Sequence, residues 1–284
     1  MRPFFNRLDS LFQIVEKRKC QAKVPIWILA VCTMLSITAL PAASAQAAPL
    51  RIAAAADLQP VLPPVLEKFR QATGISAEAT YQASATLTTQ IQNGAPFDVF
   101  LSADLSYPKR LIDAGVADTA GSPDSSTPII YARGTLVLWT RKDSHWPTPS
   151  LALLSDPALH RLAIANPERA PYGRAAIAAL TSLKLIDALK PKFATAENIS
   201  QAAQFAETGN ADAGLISLTS AKTEHLAAIG NYFVIPRDLY PPIEQGTVIV
   251  TSTKQRENAH KFLDFLLSPA IQQQLAQSGL TPVK

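Results

Sequence analysis

Between residues 50 and 115 three short apolar runs, LRIAAA (50–55), ISAEATY (75–81) and FDVFLS (97–102), alternate with helical segments that stop at Gly74, Gly94 and Gly115. Runs of this length bounded by turn residues read as strands, and the glycines read as helix stops. The prolines of PVLPPVLEKFRQATG (Pro60, Pro63, Pro64) fit only a first turn or the residues just before it. A helix between two strands carries the chain back over the sheet, so the strands it joins run parallel. Parallel sheets need cover on both faces. The rhythm therefore predicts an α/β fold of mostly parallel sheets flanked by helices.

After a Gly-, Ser-, Pro- and Asp-rich loop (118–127) the alternation restarts. A strong strand, GTLVLWT (134–140), is followed by LAIANP as strand, YGRAAIAALTSL and ISQAAQFAET as helices, DAGLISL as strand, and GTVIVT (246–251) as a late strand. ENAHKFLDFLLS closes the chain as an amphipathic helix, with IQQQLAQSG after it. The strong strands near 134 and 246 flank a self-contained α/β block. A chain that leaves one lobe, builds a second and returns has this layout. Residues 48–131 and 240–284 are assigned to lobe I and 132–239 to lobe II, with a ligand cleft and hinge between them.

Residues 24–40, VPIWILAVCTMLSITAL, carry no charge; Arg18, Lys19 and Lys23 precede them and PAASAQAAP follows. That order is a secretory signal with an Ala45-Gln46-Ala47 cleavage site, so residues 1–47 are expected to be removed on export to the periplasm. The alternative is a retained membrane anchor, for which the run is short. The signal holds six of the 26 Lys and Arg and two of the 22 Asp and Glu, leaving 20 of each. The basic balance of the whole chain therefore makes no case for a nucleic-acid partner. Both cysteines, Cys20 and Cys32, lie in the same segment, so the exported remainder is expected to fold without disulfides.

No G-x-S-x-G, H-E-x-x-H or phosphate-loop pattern is present, and His145, His160, His225 and His260 are scattered. No enzyme and no cofactor are expected. What recurs is the helix start. AAAADLQP places Asp57 in an N-cap region; Ser84 reads as the cap of a helix beginning near Thr86. Pro171 takes a first helical position and leaves the Tyr172 and Gly173 amides free. Asn198 and Gln201 form a capping-box-like pair around Ile199 and Ser200. Taken singly these are ordinary caps. Converging on one cleft, their unpaired N–H groups and partial positive charges make an anion trap without a cationic side chain.

Past residue 48 the chain resembles, over nearly its whole length, the periplasmic molybdate-binding proteins of ABC uptake systems. The resemblance is carried by AAAADL (53–58), YQASATLTTQIQNGAPFDVFLSAD (81–104), ANPERAPYGRAA (165–176), ENISQAAQFAETGNADAGLIS (197–217) and FLDFLLSPAIQQQLAQSG (262–279). It implies a two-lobed type II periplasmic-binding-protein fold closing on a tetrahedral oxyanion, molybdate or tungstate, for delivery to a permease and an ATPase. It further implies a monomer. In that family hydroxyls and backbone amides hold the anion. Carried over, the hydroxyl falls on Ser84 and the amide donors fall on Tyr172 and Ile199. Two positions depart: the first-loop hydroxyl falls on Asp57, and a tyrosine found in some members falls on Ser217. A carboxylate beside a dianion is repulsive. Asp57 is expected to point away and cap its own helix; the alternatives are a protonated donor, or a ligand other than molybdate. The alternative functions are a binding protein of this fold for another small polar solute, or a secreted enzyme.

Overall fold

In the computed structural model, which describes residues 48–119 and 126–283, LRIAAA forms β1 (Leu50–Ala55). Leu50, Ile52, Ala53 and Ala54 are wholly buried, as a strand covered on both faces requires. The chain then makes a 3-10 turn (Ala56–Leu58) and enters α1 (Leu62–Thr73), whose prolines sit in its first turn. Leu62, Val65, Leu66 and Phe69 form the buried stripe of α1 at helical spacing. Gly74, at φ 73°, ends it in the left-handed region that favours glycine. β2 (Ala77–Gln82), α2 (Ser84–Gln92), β3 (Val99–Leu101), α3 (Ser106–Asp113) and β4 (Ala117–Asp118) follow.

β1 lies between β2 and β3, parallel to both, with Ile52 opposite Ala79 on one side and Val99 on the other. Where a single strand was expected at 134–140, the chain makes two, β5 (Ile129–Gly134) and β6 (Leu136–Arg141), which belong to different sheets. The break at Thr135 is the passage from one sheet to the other. The second sheet continues with β7 (Leu162–Ala165), α4 (Pro171–Ser182), α5 (Ile186–Leu189), β8 (Phe193–Ala196), α6 (Ile199–Glu207), β9 (Ala213–Ser217), α7 (Leu218–Ala221), α8 (Glu224–Ile229) and β10 (Gly230–Val234). Its order is β10-β6-β9-β7-β8; β7 is parallel to β8 and β9, and β6 is antiparallel to β9 and β10.

The return strand β11 (Ile243–Val250) starts earlier than GTVIVT suggested and joins the first sheet, antiparallel to β3, β4 and β5. Ile243 pairs with Gly134, so the outgoing and returning chain segments are neighbours. α9 (Arg256–Leu267) and α10 (Pro269–Gln277) complete the first sheet's cover. The Phe262 ring of α9 meets Phe69 of α1 edge to face at 5.4 Å. The expected signal, residues 1–47, and part of the loop at 118–127 lie outside the described residues.

Candidate functional site

The carboxyl ends of β1, β2 and β3 in one sheet and of β7 and β8 in the other open onto a single small cavity. Its walls are Ala55, Ala56 and Asp57; Gln82, Ala83 and Ser84; Ala103; Ala170, Pro171 and Tyr172; and Asn198 and Ile199. Strand carboxyl ends are where open α/β sheets place ligands, because the helices that follow start there. About 10 Å³ of the interior is open to the centre of a water molecule, the scale of a single small guest.

Three helices begin at this cavity. α4 has Pro171 at its start, and the Arg174 N–H bonds the Ala170 carbonyl, so the Tyr172 and Gly173 amides precede the helical ladder. α6 is capped as its sequence suggests: Asn198 Oδ1 accepts from the Gln201 N–H at 3.0 Å. The reciprocal bond runs to Gln201 Oε1 from the Glu197 N–H at 2.7 Å, one residue earlier than in a standard capping box. The Ile199 and Ser200 amides stand ahead of the first ladder bond, Ala202 N–H to Asn198 carbonyl.

α2 corrects one expectation. It begins at Ser84 itself, after Ala83, and Ser84 does not cap it. Instead Ser84 Oγ accepts from the Ala103 N–H at 3.1 Å. A hydroxyl that accepts from a backbone amide has its own proton left to donate, and among the described residues no acceptor takes it. Ser84 is thus held by the next strand's end as a donor in the cavity wall.

Asp57 corrects another. It lies inside the 3-10 turn and caps nothing; α1 starts five residues later, after Val61. The side chain is wholly buried. Its Oδ2 accepts from Tyr172 Oη at 3.1 Å and from Gln245 Nε2, while Oδ1 has no partner. Burial pushes the carboxyl up from its ordinary 3.8 to about 6, against the lowering by the Gln245 and Tyr172 bonds. The Tyr172 phenol is held well above its ordinary value, by burial first and then by the Asp57 charge and bond. Gly134 leaves room for that phenol: a Cβ there would stand 2.2 Å from Tyr172 Oη. Gln245 was not anticipated. It sits at the bulge in β11 where the pairing register slips before Gly246, and bulges re-aim side chains. The sequence carried no signal for it, since Gln245 stands just ahead of the GTVIVT run read as the strand.

Ser217 is the third correction. It is not in the cavity wall; its Oγ caps α7, accepting from the Ser220 N–H at 3.2 Å. Its neighbour Thr219 does reach the site from behind, donating to the Asp57 carbonyl at 2.8 Å. Ser200 Oγ similarly donates to the Ala56 carbonyl at 2.8 Å, and the Ala85 N–H to the Arg169 carbonyl at 3.1 Å. These bonds tie the two sheets' loops together around the cavity.

The nearby arginines are engaged elsewhere. Arg169 pairs with Glu197 at 2.8 Å. Arg174 pairs with Asp104, donates to Tyr107 Oη at 3.1 Å and stacks its guanidinium 5.2 Å from that ring's centre. Neither lines the cavity, whose wall contains no lysine, arginine or histidine. Three helix N-termini and a hydroxyl donor facing one small cavity favour an anion that needs hydrogen bonds from several directions.

Residues 50–281 match the family model of the bacterial extracellular solute-binding proteins. The "Molybdate-binding protein ModA" of Azotobacter vinelandii is 36% identical over 228 residues, covering 80% of this chain and 88% of its own. The protein of the same name from Rhodobacter capsulatus is 38% identical over 201 residues, covering 71% of this chain and 75% of its own. The solved structure of the periplasmic molybdate-binding protein of Azotobacter vinelandii superposes with a TM-score of 0.76 at 30% identity, over 83% of this chain and all of that one. The chain belongs to the bacterial extracellular solute-binding proteins, within the family of the molybdate-binding proteins.

Proposed function

We propose that this protein captures a tetrahedral oxyanion, molybdate or tungstate, in the cavity at the strand ends and hands it to the permease and ATPase of an ABC uptake system. The observation that carries the reading is the convergence of the α2, α4 and α6 starts and the Ser84 hydroxyl on one small cavity without a cation in its wall. The names borne by the relatives support the choice of anion. Ser84 Oγ and the Tyr172 and Ile199 amides are the donors. Asp57 stands in the wall beside them, and Ser217 holds α7 from outside it. The two sheets form the cores of two lobes, 48–131 with 240–284 and 132–239, that close on the anion as a monomer. Residues 1–47 direct export to the periplasm. No chemical step is assigned to the site.

Titration calorimetry with molybdate, tungstate and sulfate tests this. In urea denaturation alongside, molybdate or tungstate at a hundred times its Kd is expected to stabilise the protein by about 2.7 kcal/mol. Sulfate binding as tightly as either would count against it. Affinity is expected to change little with ionic strength, since no exposed cation holds the ligand.

Ser84→Ala is expected to weaken binding by about 2 kcal/mol, the loss of one hydrogen bond to a charged group. The Ala103 amide also loses its acceptor, so thermal unfolding is measured alongside. A variant less stable but unchanged in affinity would show that Ser84 only ties α2 to the β3 end.

A further inference from the structure

We propose that Asp57 meets the anion as a neutral carboxyl, donating a hydrogen bond from Oδ1, so that capture of a fully ionised oxyanion takes up one proton from solvent. The inference rests on the anion-binding reading above. Four buried side-chain atoms among the described residues lack partners: Asp57 Oδ1, Trp139 Nε1, Gln245 Oε1 and Thr247 Oγ1. Of these residues only Asp57 lines the cavity. Its other oxygen, Oδ2, already accepts from Tyr172 and Gln245. Those two donors decide which oxygen carries a proton, because Oδ2 must remain an acceptor. Oδ1 is the position left for it.

A tetrahedral dianion offers only acceptors. Against an ionised Oδ1 it would meet an acceptor of like charge among buried wall residues, which is strongly unfavourable. A proton on Oδ1 converts that contact into a charge-assisted O–H···O bond. No cationic side chain lines the cavity beside Asp57. The titratable groups facing it are phenols: Tyr172 from α4, Tyr131 from β5 and, beside Tyr172, Tyr240. α6 and α7 present the hydroxyls of Ser200 and Thr219, and β2 ends in Tyr81 and Gln82. In the free protein burial brings the carboxyl to about 6, and a bound dianion raises it further. The balance is one carboxylate, one solvent proton and one dianion giving one carboxyl hydrogen-bonded to a dianion; no bond within the anion changes.

The test is titration calorimetry of the purified protein with sodium molybdate, from about pH 6.5 to about pH 8, in Tris and in PIPES, whose ionisation heats differ. Molybdate itself is fully ionised across this range. The heat is expected to report uptake of close to one proton per anion at the upper end, and Kd to rise by up to about tenfold per pH unit. Asp57→Asn keeps an oxygen for Tyr172 and Gln245 and places an N–H donor where the proton would sit. It is expected to bind with a pH-independent Kd, without proton uptake, and more tightly than the wild type at the upper end. Wild-type binding with no buffer dependence and a flat Kd would overturn the proposal without recourse to the variant. Preference for hydrogenphosphate over molybdate near pH 8 would also overturn it, since the shared proton would then come from the ligand. Absence of molybdate binding at every pH would instead bring down the anion-binding reading beneath it.

Discussion

Gly173→Ala is expected to lower stability by about 3 kcal/mol, at the upper end of the usual overpacking range, and to remove oxyanion binding. Gly173 is the third residue of α4, and a Cβ there would stand 2.2 Å from the Ala165 carbonyl oxygen and 2.8 Å from the Pro167 nitrogen. Both obstacles are backbone, so no side-chain rotation relieves them. Nor can the strand end retreat: Ala165 pairs with Ala196 in the second sheet, and the Asn166 N–H bonds the Ala196 carbonyl at 2.7 Å. The helix start must lift instead. Tyr172 would move with it, displacing its amide from the cavity and its hydroxyl from Asp57. Urea denaturation measures the first effect and calorimetry the second. A variant within about 1 kcal/mol of wild type with unchanged affinity would show that α4 can slide without disturbing the site.

The other large effect is expected without ligand. The folded chain holds the Asp57 proton more tightly than the unfolded chain, with the carboxyl at about 6 against an ordinary 3.8. This group's contribution to stability is therefore fully present below the ordinary value and is lost as pH rises through about 6. The difference amounts to roughly 3 kcal/mol for a fully buried group. The comparison that isolates it is wild type against Asp57→Asn, by urea denaturation at intervals from about pH 4 to about pH 7.5. Wild-type stability is expected to fall relative to the variant across the lower part of that range and to run level above it. Parallel curves would mean that the carboxylate ionises in the folded state as easily as in water.

Much of the local architecture was legible in the chain. Gly74, Gly94 and Gly115 were read as helix stops and all three have positive φ; Pro171 was read as a helix start and Asn198 as a cap, and both are. These features depend on a few neighbouring residues, where φ limits and side-chain reach decide the outcome. Ser84, Tyr172, Ile199 and Asp57 were named from sequence and resemblance together, and the fold brings all four into one wall. Ser217 was named on the same grounds and lies outside it. IIYARG was not anticipated as a strand, because β5 owes its place to β11, more than a hundred residues away.

Local sequence was enough to place most of the alternating strands and helices and many of the helix starts and stops. These follow from periodicity, backbone preference and residue type, which act over one turn or one strand. The partners of Asp57 and Ser84 at the site come instead from long-range packing. Asp57 was a cap by its local sequence and became a buried carboxylate because Tyr172 and Gln245 arrive from distant segments. Ser84 was a cap by the same logic and became a poised donor because the Ala103 amide, on the next strand's end, takes its lone pair. A short polar side chain has several partners within reach of its own backbone and more across the fold. Which one it meets is settled by burial, where an unpaired group is costly and the non-local partner is the one the packed chain supplies.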